Sequence, residues 1–108
     1  MAIGRSARRA ERVPRVEAIF GKEAAPGALD LLELTELAWH DCYGEITPPE
    51  DIIDDILSCS EGDIAKLVQA ARLAVEDWRD LKVWAQTVRA RAGESGTATG
   101  QRLRGDDR

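Results

Sequence analysis

Between Ala28 and Asp63 the chain has no lysine and no arginine, although that stretch carries eleven carboxylates: Asp30, Glu33, Glu36, Asp41, Glu45, Glu50, Asp51, Asp54, Asp55, Glu61 and Asp63. Other absences narrow what such a stretch can be. There are only two cysteines, Cys42 and Cys59, and they form no CxxC pair, so neither a disulfide framework nor a zinc grip is expected. Two reduced thiols packed as small apolar groups are the simpler reading. No run approaches the roughly 18 apolar residues of a membrane span, and the Arg-rich N-terminus lacks the apolar segment of a secretory signal. A cytoplasmic location is expected. His40 is the only histidine, and no Gly-rich phosphate loop, GxSxG or HExxH occurs.

What is present is charge, unevenly placed along 108 residues with a net value of −5. Residues 1–27 carry six basic side chains against three acidic ones, residues 28–92 carry fourteen acidic against six basic, and residues 93–108 balance at three each. The expected organisation is a basic N-terminal arm (1–27) with a short helix, an acidic helical domain (28–92) and a disordered tail (93–108) rich in glycine, threonine and charge. In the arm, Val13, Val16, Ile19 and Phe20 suit two helical turns opening near Pro14 and stopping at Gly21. The preceding Arg5, Arg8, Arg9 and Arg12 have the charge to hold phosphates but no interleaved aromatics.

From Ala28 to Tyr43 the spacing predicts an amphipathic helix, with Ala28, Leu31, Leu32, Thr35, Ala38, Trp39, Cys42 and Tyr43 on one side and Asp30, Glu33, Glu36, His40 and Asp41 on the other. Leu37 projects from the polar side, and Gly44 ends the helix. Thr47 and Glu50 match a capping box for a second helix over 48–58, with Ile52, Ile53, Ile56 and Leu57 opposite Glu50, Asp51, Asp54 and Asp55. Ser58 with Glu61, or Ser60 with Asp63, would cap a third, from 61 to 91. There Ile64, Leu67, Ala71, Ala74, Trp78, Leu81, Ala85 and Val88 repeat at three and four residues, a coiled-coil seam too long for the second helix to cover. Its second half therefore needs the N-terminal segment, the first helix or another chain. Leu73, Trp84 and Val88 are the candidate self-association residues of a homodimer.

Two constellations carry chemistry. Glu33, Glu36 and His40 on one helix and Asp51, Asp54 and Asp55 on the next have the spacing by which helical bundles assemble oxygen-rich sites for Mg or Mn. Glu33-Leu-Thr-Glu36 followed by Glu50-Asp-Ile-Ile-Asp-Asp55 resembles the paired acidic motifs of the all-α, MazG-like nucleotide pyrophosphohydrolases, although the second motif reads DxxD and no basic residue lies near it to hold a triphosphate. The resemblance implies a metal-dependent enzyme with Glu33, Glu36 and Asp54 as ligands and Asp51 standing where that pattern has glutamate. The other use of an acidic face is recognition, in which opposite charge steers the encounter and a central apolar residue holds it.

The fold expected is all-α: a small bundle of three helices, or four with the arm, one long C-terminal helix and flexible termini. Its core draws on Leu31, Leu32, Trp39, Ile53, Ile56, Leu57, Leu67, Ala71, Val75 and Trp78. The leading function is a non-catalytic interaction module, regulator-, antitoxin- or immunity-like, that binds a basic protein partner through Glu33, Glu36, Leu37, His40, Asp41, Asp54 and Asp55, with no cofactor. The alternatives are the metal-dependent hydrolase, with Glu33, Glu36, Asp51 and Asp54 on Mg or Mn, and a nucleic-acid-associated regulator using the arm.

Overall fold

A computed structural model describes residues 4–98, with side chains through residue 93. The architecture is all-α: α1 (Arg5–Phe20), α2 (Ala25–Tyr43), α3 (Glu50–Ser60) and α4 (Ile64–Ala98), with no strand among the described residues. The tail expected to be disordered begins, over 93–98, as a continuation of α4, and 99–108 lie outside the described residues.

α1 starts nine residues before the proline expected to open it, and Pro14 sits in its interior. An interior proline removes a helix hydrogen bond and costs about 3 kcal/mol in isolation. The helix persists because both faces of the arm find partners. Val16 is fully buried, with Val13, Ile19 and Phe20 packed against the core, while the arginines bind carboxylates of α2 and α3. Charge alone marked this segment as solvated, and tertiary contacts order it.

α2 opens at Ala25, with Pro26 in the first turn where its missing N–H is no loss. It ends as expected at Gly44, which adopts a left-handed φ of +77° and donates its N–H to the His40 carbonyl at 2.8 Å. α3 follows Pro49, whose extended backbone precedes the helix without any side-chain cap. The Thr47–Glu50 capping box does not form; both side chains turn to other partners. Asp63, rather than Ser58 or Ser60, caps α4, accepting the Ala65 N–H at 2.8 Å.

α4 is the longest element, but it is not straight. At Asp77 the backbone leaves helical geometry (φ −159°, ψ 88°), and the Asp77 carboxylate accepts the Arg79 N–H at 3.2 Å, capping a new helical run. Lys66 and Arg91 both reach Glu61 Oε1, at 3.2 and 3.9 Å. In a straight helix their Cα atoms would lie about 37 Å apart, so the segment after Asp77 folds back past the segment before it. The two halves clasp α3 between them. Leu67, Ala71 and Ala74 of the first half and Leu81, Ala85 and Val88 of the second are buried. Most of the seam is thereby covered within the chain, Ile64 staying exposed and Trp78 half-buried, and of the three candidate self-association residues, Val88 is in the core while Leu73 and Trp84 are packed against it.

α3 is the axis of the molecule. Ile52, Ile53, Asp55, Ile56, Leu57, Cys59 and Ser60 are all buried in this 11-residue helix. Leu32, Trp39, Ile53, Ile56, Leu57, Leu67 and Ala71 take the core places expected of them; Leu31, Val75 and Trp78 are half-buried at its edge. Among the described residues no helix is long and apolar enough to cross a membrane.

Candidate functional site

The buried stripe of α2 runs through Ala25, Ala28, Leu29, Leu32, Thr35, Glu36 and Trp39. Glu36 thus occupies a core position and is 2% exposed, although sorting charges outward placed it in the solvent. Arg8 grips its carboxylate side-on, Nε to Oε2 at 2.7 Å and Nη2 to Oε1 at 3.1 Å. Arg12 donates to Oε2 at 2.9 Å, and the Thr47 hydroxyl donates to the same oxygen at 3.0 Å. Burial alone would raise the pKa of this carboxyl, but the hydrogen bonds from Arg8, Arg12 and Thr47 outweigh it and hold it below the ordinary value. A buried charge is tolerated only when paired and hydrogen-bonded in this way.

Most of the other carboxylates are met by cations from outside the acidic stretch. Arg9 binds Asp30 and Glu33, Arg12 also reaches Glu50, and Arg15 binds Asp54 at 2.7 Å. On the adjacent side of α3, Lys82 lies 2.9 Å from both Asp51 and Asp55, and Arg89 lies 2.8 Å from Asp55. The Lys82 hydrogen bond lowers the Asp51 pKa and the bond to Asp51 raises that of Lys82. Glu45 accepts the Trp39 indole N–H at 2.9 Å, and Asp63 serves as the cap. Asp41 has no recorded partner among the described residues.

These contacts redraw the expected interface. Glu36 and Asp55 are buried, Glu33 and Asp54 are occupied by Arg9 and Arg15, and only Leu37, His40 and Asp41 remain on an open surface. The four acids of the hydrolase-like reading do not converge, because Glu33, Glu36, Asp51 and Asp54 each face a different cation set. No group of three or more His, Cys, Asp or Glu side chains among the described residues could hold a metal ion. Of the arginine cluster, Arg8, Arg9 and Arg12 are engaged internally and Arg5 is exposed. Both thiols are free; Cys59 is buried, and desolvation, assisted by the Asp55 charge, pushes its pKa up to about 11, which keeps it protonated and unreactive.

Two surface features escaped sequence reasoning. The first is an apolar groove of about 310 Å³ between α2 and the first half of α4, formed by Leu31, Leu34, Ala38, Val68, Ala71 and Val75 and edged by the Arg72–Glu76 ion pair. Leu34 is 60% exposed and Val68 44%. The signal was legible: Leu31, Leu34 and Ala38 form a second three-four stripe on α2, wider than one buried face requires. The second is an aromatic cavity of about 390 Å³ lined by Trp39, Tyr43, Trp78, Pro49, Ile52, Glu45, Asp51 and Lys82. Comparison of the chain with protein-family models, with curated proteins and with solved structures finds no match.

Proposed function

We propose that this protein is a non-catalytic helical interaction module that associates with a second copy of itself through the α2/α4 groove. The observation that carries this reading is the exposure of Leu34 and Val68 on facing rims of one apolar channel. Contiguous apolar surface of this kind marks an association site. A second copy suits it because a two-fold axis can lay Leu34 of each chain against Val68 of the other, so that one groove supplies both halves of the contact and the neutral Arg72–Glu76 pair stays at its edge. Two free cysteines accord with a cytoplasmic setting.

Sedimentation over a range of concentrations tests this. The wild-type chain is expected to shift from monomer to dimer, and Leu34→Glu and Val68→Glu to remain monomeric with unchanged helicity. Val83→Glu, equally exposed but outside the groove, should dimerise normally. A wild-type chain that stays monomeric at the highest concentration, or dimers unaffected by both groove substitutions, would refute the reading.

The basic-partner reading keeps one foothold. Leu37 is 45% exposed beside His40 and Asp41, on a patch left open by the internal ion pairs.

A further inference from the structure

The chain has five aromatic side chains, and three of them, Trp39, Tyr43 and Trp78, line one open cavity. Packing explains only part of this. Trp39 is buried and its indole N–H is fixed on Glu45 Oε1, while Tyr43 stacks at a tilt against it with ring centroids 4.3 Å apart. The Tyr43 hydroxyl donates to the Val75 carbonyl at 2.8 Å, which ties the end of α2 to α4 and fixes that ring as well. Trp78 forms the facing wall from the start of the folded-back segment and is only half-buried. Tyr43 and Trp78 are therefore positioned but not covered, with the buried Trp39 behind them as the floor.

The polar groups around the cavity select its occupant. Glu45, Asp51 and Lys82 contribute to the wall, and the Lys82 ammonium is turned onto Asp51 and Asp55 at 2.9 Å each. With Lys82 so committed, the cavity is left with an excess of negative charge, centred on Glu45. An anion is repelled there, whereas a cation gains both the carboxylate and the negative faces of the rings. The Arg79 guanidinium already lies 5.2 Å from the Trp78 ring centroid, the distance of a cation–π contact. The volume is in the range of small-ligand pockets.

We propose that the cavity between Trp39, Tyr43 and Trp78 is a binding site for an organic cation of the alkylated ammonium class, with the rings enclosing the alkyl groups and Glu45 supplying the counter-charge. This site lies apart from the α2/α4 groove, shares none of its lining residues and does not depend on association.

Choline is the probe, with its uncharged carbon isostere 3,3-dimethylbutan-1-ol as the control. Tryptophan fluorescence of the full chain, in which Trp39 and Trp78 report from the cavity wall, should change saturably with choline and about tenfold more weakly with the isostere. Glu45→Gln, at an exposed position, should reduce choline affinity several-fold and leave the isostere unchanged, and Trp78→Leu should abolish the response to choline. The monomeric Leu34→Glu chain should bind choline as the wild type does, which separates this site from the dimer. Equal affinity for the two probes, no saturation with choline, or a Glu45→Gln chain that binds choline undiminished would overturn the proposal.

Discussion

The Thr47 hydroxyl donates a hydrogen bond to Glu36 Oε2 across the turn from α2 to α3. That one bond accounts for the missing capping box, and its acceptor marks where the basic arm docks. Thr47 satisfies a buried carboxylate instead of a helix end, and the oxygen it shares with Arg8 and Arg12 is where α1, α2 and the α2–α3 turn meet.

Removing the carboxylate should be severe. Glu36→Ala leaves Arg8 and Arg12 without their shared acceptor in a buried setting and is expected to cost about 3–5 kcal/mol. Thr47→Val, which removes one neutral donor, should cost about 1 kcal/mol. Replacing the whole cluster by Arg8→Met, Arg12→Met and Glu36→Leu should cost far less than Glu36→Ala, because no charge is then left buried alone. Urea unfolding of the three variants orders these effects; a triple variant weaker than Glu36→Ala contradicts the assignment.

Glu36 in this cluster and Asp51 beside Lys82 set an acid limit. The folded pKa of Glu36 lies below its ordinary 4.5, and that of Asp51 below 3.8. On acidification the unfolded chain therefore binds protons before the folded one does. Their stabilisation is complete above about pH 4.5 and is lost as pH falls through the folded values. Urea midpoints measured from pH 7 to pH 3 should decline along this limb, and the Met/Met/Leu variant should decline less. Parallel curves would show that Glu36 is not responsible.

A side chain at Gly62 is unfavourable for two separate reasons. Its φ is +79°, and a Cβ there would stand 3.0 Å from the Ile19 carbonyl oxygen. Gly62→Ala should lose about 1–2 kcal/mol from the backbone alone, with further loss as the end of α1 is pushed off the α3–α4 turn. Calorimetry should show a lowered Tm. An unchanged Tm would place α1 elsewhere.

The reversal at Asp77 makes a different kind of prediction. Asp77→Leu deletes the cap on Arg79 N–H, worth about 1 kcal/mol, and puts a better helix former at the break. The three-four spacing runs unbroken through this position, so a straightened α4 sends its second half onto α3 of another chain. A swapped dimer is expected on size exclusion even when Leu34→Glu has removed the groove contact. A monomer of wild-type stability would show that Asp77 does not hold the turn.

How much was legible follows from these same residues. The helical class, the stop at Gly44 and most of the core came from periodicity, which survives tertiary packing because apolar stripes must be buried. Glu36 was misplaced because Leu29, Leu32, Glu36 and Trp39 form a core register that only makes sense once Arg8 and Arg12, four residues apart, are known to face it. Pairing over more than twenty residues leaves no local trace. The break at Asp77 was invisible for a related reason: no glycine or proline marks it, and the apolar spacing continues across it. Half of the groove was written in the second stripe of α2, whereas its α4 wall and the aromatic cavity come together only in three dimensions.

Because α3 is enclosed by elements on both sides of it in the chain, its charges are neutralised from both directions. Arg12 and Arg15, which precede it, meet Glu50 and Asp54, whereas Asp51 and Asp55 depend on Lys82 and Arg89, which follow it. A chain cut before Lys82 would leave Asp55, 3% exposed in the finished fold, without either of its cations. The short helix at the centre is thus completed only by the segment beyond Asp77.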